Sequence, residues 1–261
     1  MAMKKSSVSG GEHYGQIYRD QLRLEAEWLR RGAAEKVNSV EALLRANGIR
    51  PESLLELGCG TGAVISECRR RGLAEKYHAV DYSQEAIEYL KNNSDGIHAL
   101  AADITSPDFS LSERFDVVVL SHVLEHLKNP ASFLQSVQSL NFSYLIVEVP
   151  LEDLFFGKVK SVVRDRTRNL SGHVQFFTAT SLTRMLASAG FEVLAKRRYV
   201  PVGDRETMRF VAAKNRSGKA RYYQQLLTGV FLPTVIRPVW SALYYAHYAV
   251  LCRKAEAPES E

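Results

Sequence analysis

Cysteine is scarce in this chain of 261 residues, and Cys59, Cys68 and Cys252 show no metal-ligand spacing. An odd number of cysteines without such a pattern argues against a disulfide framework and against a zinc module, so we expect three free thiols. A secretory signal is also missing, because residues 1–7 are followed by polar residues rather than by an apolar core. These absences favour a cytoplasmic location.

A strong excess of one charge is missing as well. The 34 Lys and Arg residues face 29 Asp and Glu residues, which leaves a net charge of +5. This balance is too even to indicate a nucleic-acid partner by itself. Hydrophobic residues make up 46% and charged residues 24% of the chain, as in ordinary globular proteins, so we expect one folded core.

Hydrophobic periodicity divides the chain into an amino-terminal helical part and an alternating part. Residues 14–47 carry apolar positions at helical spacing and predict two helices that are broken near Gly32 and end at Gly48. After Gly48, short apolar runs alternate with helical patterns. The predicted strands cover residues 53–57, 77–80, 97–101, 115–120, 144–149, 191–198 and 208–213.

Alternation of strands and helices predicts a mostly parallel sheet that is covered by helices on both faces. The last two predicted strands are close enough in sequence to form an antiparallel hairpin. We therefore predict an N-terminal helical cover over residues 1–48, a domain over residues 49–213 with an insertion at 151–171, and a helical tail outside the sheet over residues 214–261.

A glycine-rich turn links the first predicted strand to a helix, with Gly58, Gly60 and Gly62 at alternate positions. Glycine lets the backbone turn sharply and approach a ligand, and the following helix offers free N–H groups. Glu56, at the end of the strand, would repel a pyrophosphate and attract the ammonium of a methionine moiety. The spacing G-x-G-x-G also differs from the dinucleotide pattern G-x-G-x-x-G.

Two further acids follow the next two strands. Asp81, which Tyr82 follows, stands about 20 residues after the turn, where an acid accepts hydrogen bonds from ribose hydroxyls. Asp103 is placed to accept a hydrogen bond from an adenine amino group, and Ile104 to pack on the ring. A turn that binds another nucleotide, or nothing, is the less favoured alternative because all three acids stand in register.

At these residues the chain resembles the class I (Rossmann-like) S-adenosylmethionine-dependent methyltransferases, from about residue 53 to residue 213. Residues 115–127 and 172–191 resemble the branch that contains ubiquinone-biosynthesis and small-molecule O-methyltransferases. The resemblance implies an α/β fold with a seven-stranded sheet and S-adenosyl-L-methionine as cofactor. The predicted acceptor is a small molecule or a lipid-linked molecule, methylated at oxygen. The predicted cofactor-binding residues are Tyr14, Glu56, Gly58, Cys59, Gly60, Gly62, Asp81, Tyr82, Asp103, Ile104 and Ser121.

Three histidines are candidates for the base that would deprotonate a hydroxyl acceptor, namely His122, His126 and His173. His122, Glu125 and His126 also have the helical spacing of metal ligands, but packing is the favoured interpretation, and no metal is assigned. The branch often has an acid where this chain has His122, which puts a metal site carried over from it in doubt. Tyr14 and Tyr18 are weaker candidates for closing over the cofactor, because aromatic stripes on helices usually belong to the core.

Two segments are predicted to form the acceptor side. The insertion at 151–171 is amphipathic and basic, with Lys158, Lys160, Arg164, Arg166 and Arg168. The tail at 226–252 is apolar but contains Pro233, Arg237 and Pro238, which argue against a transmembrane helix. The insertion is either a lid or a membrane contact, and the tail docks on the protein, which is favoured, or on a membrane.

Two other classes of function remain open on the sequence alone. A nucleic-acid (tRNA) methyltransferase is less favoured, because no Asn-Pro-Pro-Tyr type segment follows the fourth strand. A non-catalytic partner protein that binds the cofactor is the other alternative. The oligomeric state is not predicted.

Overall fold

One seven-stranded sheet forms the centre of the computed structural model, which describes residues 10–163, 165–166, 169, 171–215 and 217–255. The strand order is β3-β2-β1-β4-β5-β7-β6. The strands are β1 (Ser53–Leu57), β2 (Lys76–Asp81), β3 (His98–Ala101), β4 (Phe115–Ser121), β5 (Phe142–Leu151), β6 (Phe191–Tyr199) and β7 (Ala246–Lys254). The helices are α1 (Gly10–Ala46), α2 (Ala63–Arg70), α3 (Gln84–Asn93), α4 (Pro130–Gln138), α5 (Phe155–Val163), α6 (Ala179–Ser188), α7 (Arg205–Lys214), α8 (Lys219–Leu226), α9 (Leu232–Val235) and α10 (Arg237–Leu243).

Burial on both faces explains why the central strands are nearly continuous apolar runs. Strands β1, β2, β3, β4 and β5 pair in parallel. Leu55 and Val118 point into a core on one face, whereas Leu54 and Val117 point into a second core on the other face. The predicted mostly parallel, Rossmann-like sheet with one antiparallel strand is therefore confirmed.

The antiparallel strand, however, is not the one that the sequence indicated. The predicted strand at 208–213 is wrong, because Arg205–Lys214 forms α7, whose first turn is capped by the Asp204 carboxylate accepting from Thr207 N at 2.6 Å. The prediction that the tail lies outside the sheet is also wrong. Strand β7 inserts between β5 and β6 and pairs antiparallel with both. The sheet therefore extends past the predicted boundary at residue 213.

Strand β7 belongs inside the sheet because its side chains are apolar on both faces. Every residue from Ala246 to Cys252 is buried. Such a run has no alternation and reads as part of an apolar tail when only the sequence is considered. Strand β6 therefore pairs antiparallel with β7 rather than with residues 208–213. The two strands are joined through α7, α8, α9 and α10 instead of a short turn.

The amino-terminal cover, α1, consists of two helices joined at a kink, as predicted, but the predicted position of the break near Gly32 is wrong. The helical backbone is interrupted at Gln21 instead, where φ is −143° and ψ is 32°. A side chain at position 32 would meet nothing within 4 Å, so packing does not require glycine there, and the helix continues through it. Gly48, with φ of 66°, follows the end of α1 as expected, and Val37 and Leu44 pack the helix on the second core.

The predicted acceptor side is only partly described. Helix α5 begins the insertion, and Arg166 pairs with Asp153 at 2.9 Å. Arg164, Arg168 and the side chain of Lys160 lie outside the described residues. Among the described helices, no single one has the length and apolar composition to cross a membrane. One pair, Lys219–Val235 with Arg237–Leu243, meets those two criteria jointly but is bent by 116°.

We predict that Gly62→Ala destabilises the fold more than Gly72→Ala does. Both glycines have a positive φ, of 76° and 65°, so both variants carry the same backbone strain. A methyl group at position 62 would lie 2.3 Å from Leu90 Cδ1 of α3, whereas position 72 is open. Overpacking should therefore cost Gly62→Ala roughly 1–3 kcal/mol more in urea denaturation. Equal losses for the two variants would contradict this account.

Candidate active site

A cavity of about 1000 Å³ opens at the carboxyl ends of the strands, between the glycine turn and the helices α1 and α7. Parallel α/β sheets bind ligands at this edge. With one exception, every predicted site residue lines the cavity: Tyr14, Glu56, Gly58, Cys59, Gly60, Asp81, Tyr82, Asp103, Ile104, Ser121, His122, His126 and His173. The exception is Gly62, which faces Leu90 and allows α2 to pack against α3.

The glycine turn is held against the second strand and leaves room for a ligand. Gly58 N and Cys59 N both donate to Val80 O, at 2.8 and 3.1 Å. Gly60 has a φ of 54°, and a Cβ there would lie 2.5 Å from the Tyr18 hydroxyl. Only glycine fits both the backbone conformation and this close approach.

The acids predicted to bind the cofactor are buried and partly used by the protein itself. Asp81 accepts from Gly60 N at 2.8 Å and from Ser83 N at 3.0 Å. Glu56 accepts from Ile65 N in the first turn of α2, at 2.9 Å. Burial raises the pKa of Glu56 to about 8, although Ile65 and the charge of Lys36 act in the opposite direction. A bound ammonium would favour the ionised form of this carboxyl.

The two residues predicted to hold the adenine both line the cavity but differ in exposure. Asp103 is exposed and accepts from Thr105 N at 2.8 Å, whereas Ile104 is buried. On the near side, Ser121 ends β4 with its hydroxyl buried and without a hydrogen-bond partner among the described residues. The glycine cradle and this unsatisfied hydroxyl fit a polar ligand in the cavity.

Helix α1 closes the cavity with two tyrosines. The Tyr14 and Tyr18 rings lie 5.8 Å apart, and Tyr14 meets the His126 ring edge-on at 4.9 Å. The sequence named both tyrosines as candidates for closing over the cofactor, but only Tyr14 was included among the predicted cofactor-binding residues. The structure buries Tyr18, but it also places its hydroxyl over Gly60.

His173 forms the arrangement expected of a general base. Its Nδ1 lies 2.6 Å from Glu152 Oε2, which orients the ring and leaves Nε2 available. Burial lowers the pKa of His173, but the hydrogen bond and charge of Glu152, together with the charge of Glu125, outweigh it, so the pKa is raised. The sequence did not identify Glu152 as the partner of His173, because 21 positions separate the two residues.

His126 has a different environment from its neighbour His173, although the two rings lie 4.9 Å apart. Its Nδ1 lies 3.2 Å from Gly172 O, which assigns the proton to that nitrogen. Burial lowers the pKa of His126 to about 4 despite the charge of Glu125. His126 is therefore neutral at pH 7 and a weaker base than His173.

Glu125 lies in the turn after β4, next to His126, and contacts the segment that carries His173. Its backbone carbonyl accepts from Val174 N and Gln175 N, at 2.8 and 3.0 Å, which fixes the segment that carries His173. Its carboxylate is fully buried. Burial raises the pKa of Glu125, but the charges of the surrounding histidines, His122 first, lower it to about 2.

His122 belongs to a second group that the sequence did not reveal. It has a φ of 59°, a strained conformation for a residue with a side chain, and its backbone N donates to Glu148 O at 2.9 Å. Its Nε2 lies 3.3 Å from His247 Nδ1. Tyr199 donates to Glu148 Oε1 at 2.9 Å. His247 was missed because its strand was assigned to the tail.

A cation from the amino-terminal helix faces these buried acids. Lys36 lines the cavity, where burial lowers its pKa while Glu148, Glu125 and Glu56 raise it. The sequence offered no signal for Lys36, because it reads as one of many charges on a solvated helix face.

Comparison with known proteins identifies similar chains. The profile of a family described as a methyltransferase domain matches residues 26–196. A ubiquinone biosynthesis O-methyltransferase of Glaesserella parasuis is 30% identical over 104 residues, 37% of this chain and 43% of that enzyme. The (S)-coclaurine N-methyltransferase of Papaver somniferum is 31% identical over 93 residues, 33% of this chain and 25% of that enzyme. The chain thus spans less than half the length of these curated relatives.

Among solved structures, the magnesium protoporphyrin IX methyltransferase of Synechocystis PCC 6803, with bound S-adenosylhomocysteine, superposes with a TM-score of 0.56. It is 16% identical and covers 94% of each chain. At this identity the likeness shows the fold.

We predict that Glu152→Gln lowers the pKa of His173. The wild-type ring should titrate above the ordinary value of 6.5, because Glu152 stabilises its protonated form. Histidine NMR titration measures this directly and needs no methyl acceptor. His78, whose pKa is lowered by burial and whose charged neighbours are Glu113, His98 and Lys76, is the internal control. An unchanged His173 titration in a folded Glu152→Gln variant would show that the pair does not control the base.

Proposed function

The chain belongs to the methyltransferase-domain family matched over residues 26–196, and on that premise we propose that it methylates an oxygen atom of an apolar, lipid-linked acceptor. S-adenosylmethionine is the methyl donor, bound at the glycine turn. The observation that carries the oxygen acceptor is the Glu152–His173 pair at the cavity, with its 2.6 Å contact. Methylation of a neutral hydroxyl requires a base of this kind.

The cofactor residues have separate roles in this proposal. Asp81 accepts from the ribose hydroxyls, Asp103 and Ile104 hold the adenine, and Glu56 meets the methionine ammonium. The bound cofactor supplies an electrophilic methyl group on a sulfonium. Tyr14 and Tyr18 of α1 exclude water from the reacting centre, and the enclosed cavity aligns the acceptor, which provides much of the rate acceleration.

His173 performs the proton transfer. As the acceptor oxygen forms its bond to the methyl carbon and the carbon–sulfur bond breaks, the hydroxyl proton passes to His173 Nε2. Glu152 stabilises the imidazolium that results, through the contact to Nδ1. Because the pKa of His173 is raised, the ring is deprotonated only as the pH rises through that pKa. Methyl transfer therefore increases with pH over this range.

An apolar surface beside the cavity supports the apolar acceptor. On α5 it exposes Phe155, Phe156, Val159 and Val162. On the α8–α10 segment it exposes Tyr223, Leu227, Phe231, Val235, Ile236, Val239 and Leu243. Contiguous exposed apolar patches mark surfaces that bind partners or membranes.

The two parts of this surface adjoin one another and the cavity. The Phe156 and Tyr244 rings lie 6.2 Å apart, and Tyr244 packs on Trp240 at 4.3 Å. Both Trp240 and Tyr244 line the cavity. An acceptor whose tail lies on the surface can therefore place its head in the cavity.

A membrane suits this surface because cations accompany the apolar side chains. Lys158, Lys219, Arg221 and Arg237 are exposed there. Each contributes about 1 kcal/mol near an anionic membrane. The cysteines, all free and buried, suit a reducing compartment, so we place the protein in the cytoplasm, peripheral to the membrane.

We predict that labelled S-adenosylmethionine transfers its methyl group to the lipid fraction of a cell extract. His173→Gln should lower this transfer by roughly 10²- to 10⁴-fold, because the general base is removed. Calorimetry should show that His173→Gln still binds S-adenosylhomocysteine, whereas Asp81→Ala binds it less tightly. Asp95→Ala, an exposed position outside the cavity, is the matched control for Asp81.

Each alternative function gives a different result in the same assay. Label that disappears on nuclease treatment would identify a nucleic-acid substrate and contradict the lipid-linked acceptor. Cofactor binding without transfer to any fraction would instead identify a non-catalytic partner protein. Label stable in the aqueous, nuclease-resistant fraction would point to a soluble small molecule.

We also predict that Phe155→Ser weakens sedimentation with anionic phosphatidylglycerol vesicles by about tenfold or more, since inserting a phenyl ring is worth roughly 1.5–3 kcal/mol. Phe155 is 59% exposed. Leu100→Ser is the control, because Leu100 is 48% exposed but lies on β3, at the opposite edge of the sheet from β6. Equal vesicle binding by the two variants would show that α5 does not take part in the membrane contact.

A further inference from the structure

Three donor atoms from three different strand ends converge on one point. They are His122 Nε2 after β4, Glu148 Oε1 on β5 and His247 Nδ1 on β7. The two nitrogens are 3.3 Å apart, and the carboxylate oxygen lies 3.5 Å from His122 Nε2 and 3.2 Å from His247 Nδ1. The three atoms thus form a nearly equilateral triangle.

Each corner of this triangle has a hydrogen-bond partner among the described residues, but the available protons must be shared. The Tyr199 hydroxyl lies 2.9 Å from both Glu148 Oε1 and His247 Nδ1, so its single proton serves one of the two. His247 Nδ1 has room for one proton or one lone pair, yet it has Tyr199, Glu148 and His122 atoms within 3.3 Å. One proton placed between two corners leaves the third corner facing them with a lone pair. A cation at the centre attracts all three.

The dimensions of the triangle match a metal ion. Zn²⁺ binds imidazole nitrogen and carboxylate oxygen at about 2.0–2.2 Å in tetrahedral geometry. Ligands at such distances are separated by roughly 3.3 Å, the edge of that tetrahedron. The observed sides of 3.2, 3.3 and 3.5 Å lie close to this value.

His247 is also oriented as a metal ligand is, and His122 has an ion-pair contact at its other nitrogen. The non-ligating nitrogen of a metal-bound histidine almost always donates to an acceptor, which fixes the tautomer. His122 Nδ1 lies 2.9 Å from Glu125 Oε1, and His247 Nε2 lies 3.0 Å from the Tyr245 hydroxyl. Glu148 and His247 are buried, and His122 is partly buried.

We propose that His122, Glu148 and His247 bind one divalent transition-metal ion of the Zn²⁺ type. Two imidazoles and one carboxylate suit such an ion, whereas Mg²⁺ and Ca²⁺ prefer all-oxygen sites. These three ligands differ from the group with metal-ligand spacing in the sequence, His122, Glu125 and His126. Only His122 belongs to both groups. His122 and His247 line the cavity, so the remaining coordination positions face the ligand space. The site does not depend on the identity of the methyl acceptor.

The test uses Zn²⁺ itself as the probe. Protein stripped with EDTA should bind one Zn²⁺ per chain in calorimetry, and Co²⁺ should give the visible spectrum of a tetrahedral site. His247→Gln and Glu148→Gln should abolish both signals. Tyr245→Phe, which keeps every ligand and removes only the outer hydroxyl, should weaken Zn²⁺ binding by about 10- to 100-fold.

Two histidine variants locate the ion. His98→Gln, at an exposed position stacked on His78, should retain full binding. His173→Gln tests the neighbouring group of Glu125, His126 and His173, whose donor atoms also lie within 4.8 Å of one another. The proposal is overturned if the wild-type chain binds no Zn²⁺, or if binding is lost in His98→Gln or His173→Gln and kept in His247→Gln. Circular dichroism checks folding, and Tyr245→Phe decides the question if the ligand variants do not fold.

Discussion

Four carboxyl groups, Glu56, Asp81, Glu125 and Glu148, are buried at one edge of the sheet, and the surrounding structure is arranged to compensate them. An isolated buried carboxylate is costly, and removing its partner typically costs 3–5 kcal/mol. Backbone N–H groups of the glycine turn and of α2 serve Asp81 and Glu56. Histidines surround the other two carboxylates. Glu148 accepts a hydrogen bond from Tyr199, whereas the Glu125 carboxylate has an ion-pair contact with His122 and no hydrogen bond among the described residues. The same charges that constrain the fold thereby create the polar wall of the cavity.

The helices α7 to α10, which lie between β6 and β7 in the chain, link the polar wall of the cavity to the apolar surface. Because β7 returns between β5 and β6, it brings His247 next to Glu148. Because α10 directly precedes β7, Trp240 and Tyr244 are held at the cavity. One segment of chain therefore supplies a polar group to the site and an apolar boundary to the space in front of it.

The sequence predicted those features of the fold and site that depend on residues close together in the chain. The glycine turn, Asp81 and Asp103 each follow a strand directly, so their place at the carboxyl edge was visible in the pattern. Gly32 was misread as a helix break because a single glycine inside a helix costs only about 1 kcal/mol relative to alanine, which the rest of the helix can offset. Residues 208–213 were misread as a strand because a short apolar run is ambiguous without its Asp204 cap.

Partnerships across long sequence separations were not predictable in this way. Glu152 and His173, or Glu148 and His247, meet only because strands and loops converge in space. No local pattern encodes those contacts. Lys36 was hidden for the same reason, since its acidic neighbours come from β1, the turn after β4, and β5.

The position of β7 also determines the order in which the chain can assemble during synthesis. Among the described residues, strand β6 pairs only with β7, so it has no hydrogen-bonded strand neighbour until residues 246–254 leave the ribosome. Strands β1 to β5 can pair earlier, since all their parallel partners lie before residue 152. An unpaired strand edge invites association with other chains. The outer edge of β5 therefore lacks its antiparallel neighbour until β7 is synthesised and pairs with it.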